Sequence, residues 1–169
     1  VIINKNAFRR KCKLMSNLLL KLTLVIPTYN RQRYALRNMR YWSGRSVTVH
    51  ILDGSPRPIS KENLMTFGDN VNYHHLPVTL HERFEIAVEL VATEYSMMLG
   101  DDEFFIPSAL ESCLKELEIQ EDLVSCMGRC MVFIDRSPHR VEGYIGYPQM
   151  EDYAILQNDP VERMVVHMN

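Results

Sequence analysis

Residues 22–30 read LTLVIPTYN, and residues 97–107 read MMLGDDEFFIP. Each is an apolar run that stops abruptly in polar residues. Unbroken apolar runs of this length, as opposed to alternating ones, belong to strands buried on both faces, as in a parallel sheet. Such a strand delivers the polar residues that follow it to its C-terminal tip. The first tip carries Pro27, Thr28, Tyr29 and Asn30, and the second carries Asp101, Asp102 and Glu103. In one sheet the turn and the acids converge.

Between these two runs the chain alternates. Ala35, Met39 and Trp42 recur at helical spacing within residues 31–42, and Gly44 supplies a stop. Residues 46–52, SVTVHIL, are β-branched and read as a second strand, halted by Asp53-Gly54-Ser55-Pro56. Strand, helix and strand in succession imply a right-handed parallel unit. A short helix is expected over residues 61–67 and a third strand over 71–76. Thr79 and Glu82 have capping-box spacing ahead of a helix with Leu80, Phe84, Ala87, Val88 and Val91 on its apolar face. Residues 95–99 form the next strand. Ser108 and Glu111 repeat the capping-box form before Leu110, Leu114 and Leu117, and residues 123–134 return as strand, with loop character from about residue 135. The expected fold is a Rossmann-like, three-layer α/β/α arrangement with a mostly parallel central sheet, which binds ligands beyond the carboxyl ends of its strands.

Composition bounds the function classes. A chain of 169 residues with 46% hydrophobic and 24% charged residues is ordinary for one globular domain. A net charge of -2 gives no electrostatic footprint for nucleic acid, although Arg9, Arg10, Lys11 and Lys13 make the N-terminus locally basic. The apolar run after these residues is broken by Lys21 and leads to no small-residue cleavage site. It is far short of the ~20 apolar residues that a membrane-spanning helix needs. Residues 1–20 are therefore expected to be an N-terminal extension, with the folded domain over 21–169. Cys12, Cys113, Cys126 and Cys130 lack zinc-site spacing and read as reduced thiols of a cytoplasmic protein, Cys126 and Cys130 being small buried hydrophobes. His74, His75 and His81 form no H-E-x-x-H motif, so packing or surface roles are expected of them.

Three segments, LVIPTYNR at 24–31, ILDGS at 51–55 and LGDDEFFIP at 99–107, resemble family 2 glycosyltransferases of the GT-A fold in kind, order and spacing. The resemblance implies transfer of a sugar from a nucleotide-diphosphate donor to a saccharide or lipid-linked acceptor, as in polysaccharide biosynthesis. It implies that Pro27, Thr28, Tyr29 and Arg31 line the nucleotide pocket, that Asp53 binds uracil or ribose, and that Arg83 lies where the family has an Arg or Asn. Asp101 and Glu103 would bracket a D-x-D motif holding Mn²⁺ or Mg²⁺ on the donor diphosphate. Where the family usually has Asp, this chain has Glu103, so either Asp102 or Glu103 is the direct ligand beside Asp101. A general base is expected well after that motif, and Glu151-Asp152 is the adjacent acid pair there; the same pair also suits a helix cap. Family catalytic domains usually run further, so the chain is expected to hold the donor half, at a cytoplasmic or membrane-peripheral location.

The chemistry is coherent without the family. A departing nucleoside diphosphate develops negative charge, and a divalent ion held by one or two carboxylates plus the substrate's phosphates neutralises it. Singly, the acids also suit a solvated turn, Asp53-Gly54 a plain turn and Tyr29-Asn30 a helix cap. A non-catalytic nucleotide-binding α/β module remains the alternative. A phosphoryl-transfer enzyme would normally show G-x-x-x-x-G-K or G-x-G-x-x-G, and the sequence has neither.

Overall fold

The first apolar run forms β1 (Leu22–Thr28), in which Leu24 and Ile26 are wholly buried. It lacks alternation because it runs between two parallel neighbours and is covered on both faces. β2 (Thr48–Asp53) pairs along one side, with Val25 opposite His50 and Thr28 opposite Asp53. β4 (Tyr95–Met98) pairs along the other, from Leu22 opposite Tyr95 to Val25 opposite Met98. β3 (Val71–His75) lies outside β2, also parallel. The sheet order is therefore β3-β2-β1-β4. These assignments come from a computed structural model that describes residues 18–128, 131–137, 140–145, 159 and 161–162.

The helices complete a three-layer, Rossmann-like α/β fold. α1 (Gln32–Trp42) connects β1 to β2, α2 (Lys61–Leu64) connects β2 to β3, and α3 (Leu80–Leu90) connects β3 to β4. The first two connections step outward in one direction, whereas the third returns across the sheet to the far side of β1. With right-handed crossovers, that reversal puts α3 on the face opposite α1. α3 packs Ala87 against Val25 and Leu52, with Phe84, Leu90 and Val91 at the margin. α1 packs on β1 and β2 and buries Ala35, Met39 and Trp42 as its spacing predicts. Burial of a large apolar side chain such as Met39 contributes about 1.5–3 kcal/mol.

Local chemistry sets the ends of the elements. Gly44, at φ +73, takes the left-handed conformation after α1 that a side chain resists. Asn70, just before β3, then serves three main-chain groups of other elements. Its amide donates to Trp42 O at 3.0 Å and Val47 O at 2.9 Å, and its carbonyl accepts from Gly44 N at 2.9 Å. The capping box ahead of α3 forms as the sequence predicts: Glu82 N donates to Thr79 Oγ1 at 3.3 Å, and Thr79 N donates to Glu82 Oε2 at 2.9 Å.

Several expectations are corrected. α3 buries Arg83 and Ala87, whereas Leu80 and Val88 are exposed, because the helix turns its polar Arg83 toward the ends of β1 and β2. α4 (Pro107–Ile119) begins at Pro107, so Ser108 lies inside its first turn and not at the cap, consistent with proline's preference for the first helical position. Residues 123–128 are not strand. Residues 131–134 are strand as expected, within β5 (Met131–Ser137), which continues past them and pairs antiparallel with β6 (Arg140–Ile145) where loop was expected. The chain forms two compact units, Val1–Glu111 and Ser112–Asn169. β5 and β6 belong to the second. The pKa of the Cys113 thiol, also there, is pushed up to about 11 by burial and by Cys126 beside it, as for inert packed thiols. Cys130 lies outside the described residues.

Candidate functional site

Where successive connections leave a strand in opposite directions, the helices diverge and open a crevice at the carboxyl ends. Here that switch point lies between β1 and β4. Thr28 ends β1, and the turn after β4 presents Asp101. Their side chains meet, Thr28 Oγ1 donating to Asp101 Oδ2 at 2.8 Å. Asn38, buried on α1, donates to Asp101 O at 2.7 Å and fixes the acidic turn's backbone from the helix side. The two stretches far apart in sequence therefore form one locus.

Arg31, which opens α1, spans the acids. Its Nη1 lies 3.2 Å from Asp101 Oδ1 and its Nη2 2.8 Å from Asp102 Oδ2. The hydrogen bond from Arg31 holds the Asp102 carboxyl below its ordinary range, and the same bond raises the guanidinium. Asp101 is 6% exposed but Asp102 is 54% exposed, so the pair runs from the interior to open solvent. Glu103 points elsewhere: its Oε2 accepts from Gly100 N at 3.1 Å, folding the side chain back on its own turn. Of the two residues considered beside Asp101, Asp102 is the one that shares a partner with it.

Asp53 sits one strand away in different surroundings. It is wholly buried. Its Oδ1 accepts from Ser55 N at 2.8 Å, and its Oδ2 accepts from Tyr73 Oη at 2.7 Å and Gln32 Nε2 at 3.0 Å. Burial pushes this carboxyl upward, yet the hydrogen bonds from Ser55, Tyr73 and Gln32 outweigh it and leave the group below its ordinary range. A ligand reaches Asp53 only by displacing one of these donors. The loop it organises is tied further by Asn30 N to Ser55 Oγ at 2.8 Å, Gly54 N to Thr28 O at 2.9 Å and His75 Nε2 to Ser55 O at 2.8 Å.

Arg83 lies beneath that loop, 5% exposed. Its Nη1 donates to Thr28 O at 2.7 Å and Leu52 O at 2.9 Å, the carbonyls at the ends of β1 and β2. It makes no ion pair with a described carboxylate, and its buried Nε has no described partner. The guanidinium lies so close to Gly54 that a Cβ there would stand 2.7 Å from Arg83 Cζ. Sequence reasoning reads Asp53-Gly54 as turn chemistry and misses that Gly54 is small to admit Arg83. A cleft of about 630 Å³ opens alongside, lined by Tyr29, Gly54, Pro77, Val78 and Thr79. Tyr29 is exposed at its mouth, while Pro27 is half-buried within β1.

The structure thus gathers Thr28, Arg31, Asp101 and Asp102 at one point, with Asp53 and Arg83 beside it. Glu151 and Asp152 lie outside the described residues. No motif signals the His50–His74 contact, in which a buried ring and a half-buried one on adjacent strands approach to 2.9 Å between Nδ1 and Nε2. Only the β2–β3 register reveals it. Among the described residues no three His, Cys, Asp or Glu side chains are grouped to hold a metal ion. No described helix is long and apolar enough to cross a membrane. No known family model matches the chain, and no curated protein matches it in sequence.

Proposed function

We propose that this chain is a metal-dependent glycosyltransferase of the GT-A type, acting on a nucleotide-diphosphate sugar and a saccharide or lipid-linked acceptor. The carrying observation is the meeting of Thr28, Arg31, Asp101 and Asp102 at the switch point between β1 and β4. Ligands of open parallel sheets bind at such points.

The donor set suits a hard cation. Asp101 and Asp102 supply two carboxylates, and Mg²⁺ or Mn²⁺ typically takes one or two carboxylates with the remaining positions filled by water and substrate phosphates. The bound ion would neutralise charge developing on the departing diphosphate. Thr28 and Asn38 hold Asp101 in place through side chain and backbone respectively. Arg31, freed from the acids, is positioned to donate to a phosphate oxygen. Tyr29 and the cleft beside Arg83 offer a flat, partly apolar place for a nucleobase, with the unpartnered Arg83 Nε close by. The general base is sought at Glu151 or Asp152.

A second reading has its own support. Arg31 already neutralises both acids within the chain, as an ion pair with a purely structural role would. A nucleotide-binding module without transfer activity needs nothing more.

Calorimetric titration with UDP and GDP, each with and without Mn²⁺, tests the proposal. The expected result is binding that requires Mn²⁺ and disappears in Asp101→Ala/Asp102→Ala while the circular dichroism spectrum is retained. Metal-independent binding that survives the double substitution would sink the metal-dependent reading. Nucleotide binding without turnover of any UDP- or GDP-sugar would favour the non-catalytic module.

A further inference from the structure

A second cleft, of about 720 Å³, lies between the start of α1 and the loop after β2, lined by Asn30, Arg31, Arg33, Tyr34, Ser55 and Arg57. We propose that this cleft binds a phosphate-bearing group, separately from the acid pair at Asp101 and Asp102.

The argument starts from charge. Residues 31–45 contain Arg31, Arg33, Arg37, Arg40 and Arg45 and no Asp or Glu, in a chain whose net charge is -2. The fold concentrates three of these cations further instead of spreading them. The guanidinium carbons of Arg31, Arg33 and Arg37 stand 4.5, 4.7 and 4.8 Å from the centre of the one Tyr34 ring. Like charges so gathered repel one another, and a ring face offsets only part of that. Arg31 is compensated by Asp101 and Asp102, but neither Arg33 nor Arg57 meets a carboxylate among the described residues.

The remaining groups are arranged for an oxyanion. Arg33 Nη2 donates to Tyr34 Oη at 2.9 Å, which orients the guanidinium. Across the cleft, Gln32 Nε2 donates to Arg57 O at 2.6 Å and pins the backbone that carries Arg57. Two exposed guanidinium groups without a described carboxylate, Arg33 from α1 and Arg57 from the loop after β2, suit a phosphate, whose several oxygens and greater charge can engage both. The volume falls in the range of small-molecule sites and admits a phosphorylated headgroup or a sugar phosphate. Either source presents the same chemistry, and the site stands whether or not the acid pair binds a donor.

The test uses inorganic diphosphate with EDTA present, so that divalent-ion-dependent binding is silent, and vesicles of phosphatidylcholine with and without phosphatidic acid. The variants are Arg33→Gln/Arg57→Gln and, as a control losing equal charge outside the cleft, Arg40→Gln/Arg45→Gln. Binding to diphosphate or to the acidic vesicles, weakened about tenfold or more by the cleft pair and much less by the control, supports the site. Diphosphate binding identifies a soluble phosphate as sufficient, and binding to acidic vesicles alone identifies the headgroup. Absence of binding to both probes, or equal weakening by the two variant pairs, overturns it.

Discussion

The tips of β2 and β4 each present aspartate at the carboxyl end of a parallel strand, yet the two are built oppositely. Asp53 is wholly buried and accepts from a backbone amide, a tyrosine and a glutamine, all fixed by the surrounding fold. Asp101 is also buried and accepts from Thr28, but Asp102 beside it opens to solvent, and the cation across the two is the side chain of Arg31, 43% exposed. A carboxylate whose acceptors are filled by fixed donors holds structure. One neutralised by a displaceable arginine remains available. Residue type and strand position alone do not separate these cases; the identity of the partners does.

The sharpest way to break this comparison is to truncate both tips. Asp53→Ala leaves three donors without their acceptor, each costing about 1–3 kcal/mol when buried. A total loss of roughly 3–5 kcal/mol is expected, enough to unfold a marginal domain. Asp101→Ala/Asp102→Ala should cost less, about 1–3 kcal/mol, chiefly for the buried Thr28 hydroxyl left without its acceptor, since Arg31 returns to solvent. Urea denaturation of both variants measures the contrast, and equal losses would erase the distinction.

Gly54→Ala probes the β2 tip from its other side. The added methyl meets a guanidinium pinned by Thr28 O and Leu52 O, so either Arg83 is expelled or the loop shifts. Overpacking of this kind costs about 1–3 kcal/mol. Pairing it with Arg83→Met should recover much of the loss if the clash is the cause. No recovery would point to the loop backbone instead.

A smaller effect comes from Tyr73→Phe, which removes one donor from Asp53 and should cost about 1 kcal/mol at pH 7. Asp53 is held below its ordinary range, so its contribution is present above the unfolded value near 4 and disappears as pH falls through the lower folded value. The difference between wild type and Tyr73→Phe should therefore shrink at pH 3. A difference independent of pH would mean that Tyr73 acts through the hydrogen bond it accepts from Ile59 N, or by packing, rather than through the carboxylate.

Much of this frame is legible in the residues. A strand buried on both faces leaves an unbroken apolar run, so β1 stands out, as does β2 by its β-branched residues, and the Thr79 box is a purely local signal; β4, read in the same way as β1, proves half-exposed, with Met98 open to solvent. What stays hidden depends on neighbours. The apolar face expected of α3 misplaces Leu80 and Val88 because periodicity cannot foresee a buried arginine that serves two strand-end carbonyls. The same holds for Asp53: its position at a tip is plain, but saturation by Gln32, Ser55 and Tyr73 requires the β2–β3 register. Residues 123–128 mislead because a short apolar run reads alike as strand and as irregular chain, whereas 131–134 do form strand. The arginines of α1 escape notice because their clustering is a property of the cleft, not of any motif.

Asn70 closes the turn between α1 and β2 from outside it. Trp42 O, which Arg45 N also engages, meets Val47 O and Gly44 N on one side chain more than twenty positions later. A nascent chain reaching residue 50 holds the helix, the start of the second strand and the local bonds of Arg45 to Tyr41 O and Trp42 O, but not the side chain that ties the corner together. Assembly is then sequential in a particular sense: the arrival of β3 both adds a strand and locks the preceding corner, so the first crossover gains its final rigidity only after the second has begun.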